Sequence, residues 1–414
     1  MSAKVASSTI TARGGVFASR SFRQYYAGQT LSLIGDGLRT LAVPLLVYKL
    51  TGSALSTGVS YVCEIAPFAV FGLVGGSLAD RVDRRTLMIG ADAVRCTIMA
   101  LFALLFAHHA LTIGMLYGGL VLLAICAAVF MGGQASSIPF LVGPEGGTQA
   151  AAALSLAENT SNLITPVAGG ALFSIFGPLP ALGINAVTYF LSQVSLARIP
   201  TLGPEDPHGF PSLRHVVDDV RLGFHVLVND RGMRAQAFAS LALNVFGFGG
   251  YSVLIPFLKR GFHASDPQVG FFLGISAAGA VCGSLLAGKF AGRWPFGRAI
   301  SVAYALDAVI FLPVVLTTNM WVAGVFWALA NACAQFEIAQ IIGFRLRVTP
   351  EDLVGRVFGA VRLFALCGMA PGIVAFGWIA DRFSAHLAMD VAAVGYLAIA
   401  FAAIASPAIR EERR

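Results

Sequence analysis

Gly75-Gly76-Ser77-Leu78-Ala79-Asp80-Arg81-Val82-Asp83-Arg84-Arg85 packs five charges into its last six positions, between two long apolar runs at 55–79 and 87–108. Each run has the ~20 residues that a helix needs to cross ~30 Å of hydrocarbon. Hydrocarbon offers no partner for backbone N–H and C=O groups, so each run must satisfy them internally, as a helix does. A short charged turn between two such runs reads as a membrane hairpin.

The same alternation recurs in both directions. Spans read at 26–48, 55–79, 87–108, 111–135, 149–174 and 179–198, then at 235–257, 268–288, 299–317, 320–343, 357–379 and 386–406. Of the 414 residues, 57% are hydrophobic and 12% charged, where a soluble domain carries about 25% charged residues. The predicted class is an all-α membrane protein with twelve transmembrane helices. The predicted boundaries are an N-terminal tail at 1–24, a six-helix bundle at 25–199, a linker at 200–234, a second six-helix bundle at 235–406 and a C-terminal tail at 407–414. The basic N-terminus lacks a short apolar core with a cleavage site, so no removable signal peptide is expected.

The net charge of +7 comes from 24 Arg and 4 Lys against 21 acids. Nucleic-acid binding is one source of such a balance, but its distribution follows membrane topology. With the N-terminus inside, 22 of the 28 basic residues fall on inner segments, and only Lys49, Lys259, Arg260 and Arg382 fall outside. Arg39 and Arg95 lie within spans. This bias predicts both termini in the cytoplasm. No nucleic-acid partner is expected. The linker carries Leu213, Val217, Val220, Phe224 and Leu227 at spacings of 3 and 4, which predicts an amphipathic helix on the cytoplasmic membrane surface.

The halves repeat each other. Val43-Pro44-Leu45-Leu46 matches Ile255-Pro256-Phe257-Leu258, and Gly76–Arg81 matches Gly288–Arg293, both at an offset of 212. A parallel repeat of six spans predicts pseudo-symmetric bundles with a site between them.

The turn after the second span can work as a latch. Gly76 allows close helix packing, Asp80 can accept from a helix N-terminus, and Arg81, Arg84 and Arg85 can form charge-assisted pairs. An ordinary basic turn that obeys topology rules reads equally well. The run resembles the loop signature G-x-L-A-D-R-x-x-R-R of the major facilitator superfamily, with Asp83 where a glycine is usual. Ala42-Val43-Pro44, Asp92 with Arg95, and Asn162–Gly170 resemble its drug-exporter branch, which includes macrolide efflux pumps and the enterobactin exporter. The resemblance implies alternating access and proton-driven export of amphipathic compounds. Asp92 and Arg95 are read as supports of the Asp80 latch. The fourth span has no arginine, unlike many related exporters, and the second-half loop has Gly292 where the first has Asp80.

Six further ionisable residues sit within spans: Asp36, Arg39, Glu64, Glu158, Asp307 and Glu337. A charge at the bilayer centre costs ~2.5–3.5 kcal/mol even on the gentler insertion scale. It survives by pairing, by facing water or by taking up a proton, and the last is what proton coupling needs. Asp36, Arg39, Glu64, Glu158 and Glu337 are the candidates for proton coupling or substrate. Asp36 and Arg39 also read as a self-neutralised pair three residues apart. Glu64 and Glu337 have no obvious local partner, and Asp307 reads as structurally paired. Tyr61, Asn162, Asn244, Phe248, Asn331 and Gln335 are candidates to line a cavity, and helix–helix hydrogen bonding or lipid contact explains each as well.

No phosphate-binding loop and no H-E-x-x-H is present, so neither direct ATP use nor that metal motif is expected. The chain is expected to be no enzyme and to hold no metal or cofactor. Its expected partners are a small-molecule substrate, protons (or sodium) and the lipid bilayer. It is expected to be a monomer in a bacterial cytoplasmic membrane. A nutrient importer or uniporter, and a non-transporting receptor, remain open readings.

Overall fold

The structure is a computed structural model that describes residues 15–79, 82–143, 146–202, 213–290, 294–350 and 353–410. The first half contains α1 (Arg20–Thr51), α2 (Ala54–Ala79), α3 (Arg84–Ala107), α4 (Ile113–Val142), α5 (Gly147–Phe176) and α6 (Leu179–Ala197). The linker helix α7 (Leu213–Asn229) follows. The second half contains α8 (Arg231–Ser252), α9 (Leu254–Gly261), α10 (Asp266–Phe290), α11 (Phe296–Leu316), α12 (Met320–Val348), α13 (Val354–Arg382) and α14 (Ala385–Ala405), with a last turn α15 (Pro407–Arg410).

Local chemistry sets the helix ends. Ser19, Thr112, Asp230, Asn319 and Ser384 each accept a backbone N–H from the first turn of their helices, as N-caps do. Gly52 ends α1 in the left-handed conformation, with φ 65°, which costs glycine little.

Ten described helices are long and apolar enough to cross a membrane, and an eleventh span results when α8 and α9, bent by 43°, are taken together. The twelfth expected span is α5. It has the length, at 30 residues, but Glu158-Asn159-Thr160-Ser161-Asn162 makes its middle polar. It packs on α1 and α10 through one face that includes Ser161, Thr165 and Gly169, while Glu158, Asn159, Thr160 and Asn162 are exposed.

Helix pairing repeats between the halves. The pairs α2/α4, α1/α6, α3/α6, α3/α4 and α1/α5 recur as α10/α12, α8/α14, α11/α14, α11/α12 and α8/α13. The halves meet through α5/α10 and α2/α13, which are symmetry equivalents. Both contacts are close near the helix ends away from the linker. A Cβ on Gly170 would lie 2.8 Å from the Gly270 Cα, and one on Gly377 would lie 2.7 Å from the Leu55 Cα. Small residues permit this approach.

The core follows the same division. On the face away from the linker one apolar cluster runs through both halves, including Leu46, Phe102 and Tyr189 with Phe257, Phe272 and Phe376. Toward the linker face the core splits in two. One cluster holds Phe22, Tyr25, Met88 and Leu196. The other holds Phe296 stacked on Phe344 at 4.1 Å, with Leu227 of α7.

Segments read as tails and linker pack on the bundles. From residue 15 the N-terminal tail joins the bundle: Val16 is buried and its N–H donates to Gln149 Oε1 at 3.1 Å. In the C-terminal tail, α15 buries Ile409. The linker helix packs on α13, where Gly223 lies against the Arg356 carbonyl and Phe224 meets Phe364 at 6.2 Å.

Candidate functional site

Two polar centres occupy the interior, one in each half. In the first half Asp36 and Arg39 are one turn apart on α1, with Arg39 Nε 3.7 Å from Asp36 Oδ1. They are not a closed pair. Arg39 also bonds Glu64 of α2 through Nη1, so Glu64 has the partner that its own helix does not supply. Arg95 of α3 places Nη2 2.9 Å from Asp36 Oδ2 and Nη1 3.0 Å from Asp92 Oδ1. Tyr189 of α6 donates its hydroxyl to Asp36, and its ring lies 4.0 Å beneath the Arg95 guanidinium. Three carboxylates and two guanidiniums thus form one chain from Glu64 to Asp92 across three helices. Asp92 and Arg95, read as supports of the turn after α2, belong to this network.

That turn is only partly described. Gly76 lies in the last turn of α2, and Asp80 and Arg81 lie outside the described residues. The remaining residues grip the end of the first half. Asp83 caps α3, accepting from Thr86 N at 3.0 Å and Thr86 Oγ1 at 2.7 Å, and it also accepts from Leu202 N at 2.6 Å. Arg84 donates to the Leu202 carbonyl at 3.4 Å and lies 4.6 Å from the Phe140 ring centroid. Arg85 donates to the Ala197 carbonyl at the end of α6, at 2.7 Å. Burial works against ionisation of Asp83, but the bonds from Thr86 and Leu202 and the charge of Arg85 hold its carboxyl below the usual carboxylate range. The departure from the glycine of the loop signature therefore has a local use: it ties the start of the linker to α3.

In the second half a cavity of about 350 Å³ is lined by residues of α8, α11, α12 and α14. Asn244, Phe248, Asn331, Gln335 and Glu337 line it. Two of the amides also bond their own helices, Asn244 to the Ser240 carbonyl at 2.8 Å and Asn331 to the Trp327 carbonyl at 2.9 Å. Asp307 lines the same cavity and is 3% exposed, against 4% for Glu337. Asp307 Oδ1 and Glu337 Oε1 have no hydrogen-bond partner. Among the described residues no Lys or Arg forms an ion pair with either carboxylate. The structural partner expected for Asp307 is absent among them, and Asp307 instead shares an electrostatic field with Glu337. Nothing in its own span signals this, because the two acids are 30 positions apart on different helices.

The other candidates lie elsewhere. Tyr61 is buried and meets Tyr251 of α8 edge-on at 5.5 Å, a contact between the halves. Tyr251 also lines the cavity, and Glu64 is close enough to act on both rings electrostatically. Glu158 and Asn162 are exposed on α5, one helical turn apart and away from the face on which Ser161 bonds α1 at the Leu33 carbonyl.

A second contact between the halves closes the face away from the linker. Asp381 of α13 accepts from Ser53 Oγ at 2.6 Å, Ala54 N at 2.8 Å and Leu55 N at 2.9 Å, so it caps α2 from the other half. Arg260, at the end of α9, bonds Asp381 at 3.1 Å and the Tyr48 hydroxyl at 2.9 Å, and also the Gly52 carbonyl.

The described residues thus hold a paired ionic network in the first half, a cavity with two buried acids in the second, and contacts between the halves at the face away from the linker. The chain is similar to known transporters. Macrolide efflux protein A of Streptococcus pyogenes is 24% identical over 381 residues, covering 87% of this chain and 89% of that protein. The enterobactin exporter EntS of Escherichia coli O1:K1 is 26% identical over 393 residues, covering 92% and 90%. Among solved structures, the fold matches a bacterial homologue of the lysosomal transporter Spinster in an inward-facing, unoccupied conformation (TM-score 0.71, 16% identity, 95% of this chain and 98% of that one). It also matches the nucleoside transporter NupG (TM-score 0.74, 13% identity, 93% and 99%). A family model described as "transmembrane secretion effector" matches residues 14–413, and the chain belongs to this family of major facilitator transporters, which are not enzymes.

Proposed function

We propose that the protein exports an amphipathic small molecule from the cytoplasm in exchange for protons, by alternating access. The observation that carries this is the cavity of the second half, where Asp307 and Glu337 are buried and, among the described residues, form no ion pair. A buried charge needs compensation, and a proton supplies it in one half of a transport cycle and leaves in the other. Sodium is the alternative ion. The bias of basic residues puts the linker face and both termini in the cytoplasm. The split core on that face, and on the other the bonds of Asp381 to Ser53, Ala54 and Leu55 and of Arg260 to Tyr48 and Gly52, fit a carrier closed to the outside. The two named relatives, an efflux protein and an exporter, favour the outward direction. Asp36, Arg39 and Glu64 are paired within the first half and move with it, and the turn after α2 is the latch of the inner face. The site of action is a bacterial cytoplasmic membrane, and the monomer is the working unit.

Retention of a fluorescent amphipathic dye tests the reading, in cells with the protein, without it, and with Glu337→Gln, each with and without a protonophore. Lowered retention that the protonophore and the substitution both abolish supports it. No change across a panel of dyes and antibiotics overturns broad export. Accumulation of a compound inside the cells points to import on the same fold.

A further inference from the structure

The buried ionisable groups divide into two classes. In the first half every carboxylate of the network is charge-paired with an arginine, including Asp92, whose Oδ2 has no hydrogen-bond partner but whose Oδ1 is held by Arg95. Asp307 and Glu337 are the opposite case. Both are more than nine-tenths buried, both line the cavity, and each keeps an oxygen without a partner. A third unpartnered polar atom, Nε1 of Trp327, belongs to a buried residue of the same wall. The titratable neighbours are Tyr304, Cys333 and Tyr396, none of which brings positive charge. Arg345 also acts on Tyr304, but it stands about two turns along α12 from Glu337 and is held by Gln236 Oε1 at 2.7 and 3.1 Å.

Part of the remaining wall is aromatic, and the rest is aliphatic or amide side chains such as Leu243, Ile338, Ile341 and Asn331. Phe311 lies 5.7 Å from Trp327 and 4.8 Å from Tyr396, centroid to centroid, and Phe248 completes the lining beside them. Ring faces attract cations and bury apolar bodies. The volume of about 350 Å³ lies within the ~300–1,000 Å³ of small-molecule sites. Two carboxylates that form no ion pair among the described residues, in a largely apolar cavity with several rings in its wall, match one ligand chemistry.

We propose that the Asp307–Glu337 cavity recognises a monovalent organic cation, an ammonium or similar charge carried on an apolar body, and rejects anions of the same shape. This names the charge of the exported molecule and rests on the export reading for its place in a transport cycle. Binding itself needs no gradient and is measured apart from flux.

The test is equilibrium binding to the full-length protein in detergent of tetraphenylphosphonium and of tetraphenylborate, ions of one shape and opposite charge. The cation is expected to bind saturably and the anion on the order of tenfold more weakly or worse. The double variant Asp307→Asn with Glu337→Gln should lose on the order of tenfold or more in affinity for the cation, while Asp307→Glu, which keeps the charge, retains it. Acid should weaken cation binding, because protons compete for the same carboxylates. If the double variant does not elute as a single species, Glu337→Gln set against Asp307→Glu carries the comparison. Equal binding of the two ions, or undiminished cation binding without the carboxylates, overturns the proposal. Intact cation binding with no export in cells would instead remove the export reading and leave the site standing. Proton-driven efflux of neutral compounds with no cation binding would do the reverse.

Discussion

Arg95 on α3 holds Asp36 on α1 at 2.9 Å and Asp92 on its own helix at 3.0 Å, so one planar guanidinium neutralises carboxylates from two helices. The fork suits arginine better than lysine. Arg95→Met leaves both acids without that charge inside the bundle. Removing one member of a buried pair costs about 3–5 kcal/mol. The expected result is a lower unfolding temperature of the detergent-purified protein. Adding Asp36→Asn and Asp92→Asn should recover most of the loss, because the orphaned charges are then gone. An unchanged unfolding temperature in Arg95→Met would mean that the network contributes nothing to stability.

The contact of Asp381 with Ser53, Ala54, Leu55 and Arg260 gathers four donors on one carboxylate. Single exposed pairs are worth only about 0–1 kcal/mol, but here one substitution removes all four acceptor contacts and uncaps α2. Asp381→Ala should shift the protein toward a state open on that face. Spin labels at Leu50 and Phe383, both exposed, report the distance between the halves. Longer and broader distances in the variant are expected, and an unchanged distribution would remove Asp381 from the closure.

Gly270 sits where α10 meets α5, and a Cβ there would also lie 2.8 Å from the Gly170 Cα. Backbone stands on the other side, so no side chain can swing away. Gly270→Leu should separate the two helices, at a cost of about 1–3 kcal/mol for overpacking, and should lower export more than it lowers expression. Vesicle transport set against the amount of folded protein decides this.

Asp83 provides a pH dependence outside the spans. Its folded pKa lies below the ordinary carboxylate value. The contribution is therefore complete above that ordinary value, about 3.9, and is lost as the pH falls through the folded one. The protection of the Leu202 and Thr86 amides against exchange, taken relative to the intrinsic rate at each pH, should fall at acid pH in the wild type. In Asp83→Asn the protection should be lower at neutral pH and flatter toward acid. Parallel pH curves for the two proteins would assign the protection to something else.

The architecture was legible because each hydrophobic span states its own case. A run such as 87–108 is helical and membrane-spanning whatever surrounds it. The repeat of Val43-Pro44-Leu45-Leu46 in Ile255-Pro256-Phe257-Leu258 placed the second half in register with the first, although only the second copy bends, by 43° between α8 and α9. Of the cavity candidates, Asn244, Phe248, Asn331 and Gln335 line the cavity of the second half together with Glu337, read as a coupling or substrate residue, whereas Tyr61 and Asn162 do not.

Partnership was not legible. Glu64 looked alone because its arginine lies 25 positions earlier, on α1. Asp92 and Arg95 looked like part of a loop device, because nothing local shows that Arg95 reaches Asp36, 59 positions away. Asp307 looked structural until α11 packed beside α12. Spacing along a chain specifies which face of its own helix a residue occupies. The depth and rotation of the neighbouring helix decide which charge that face meets, and these come from close packing such as Gly170 against Gly270. Composition and periodicity thus specified an all-helical membrane chain of two repeated halves, since the cost of polar backbone in hydrocarbon acts on each segment separately. Which acids are paired and which stand open to a ligand was decided only by tertiary packing, since an ion pair requires two helices to agree to within an ångström or so.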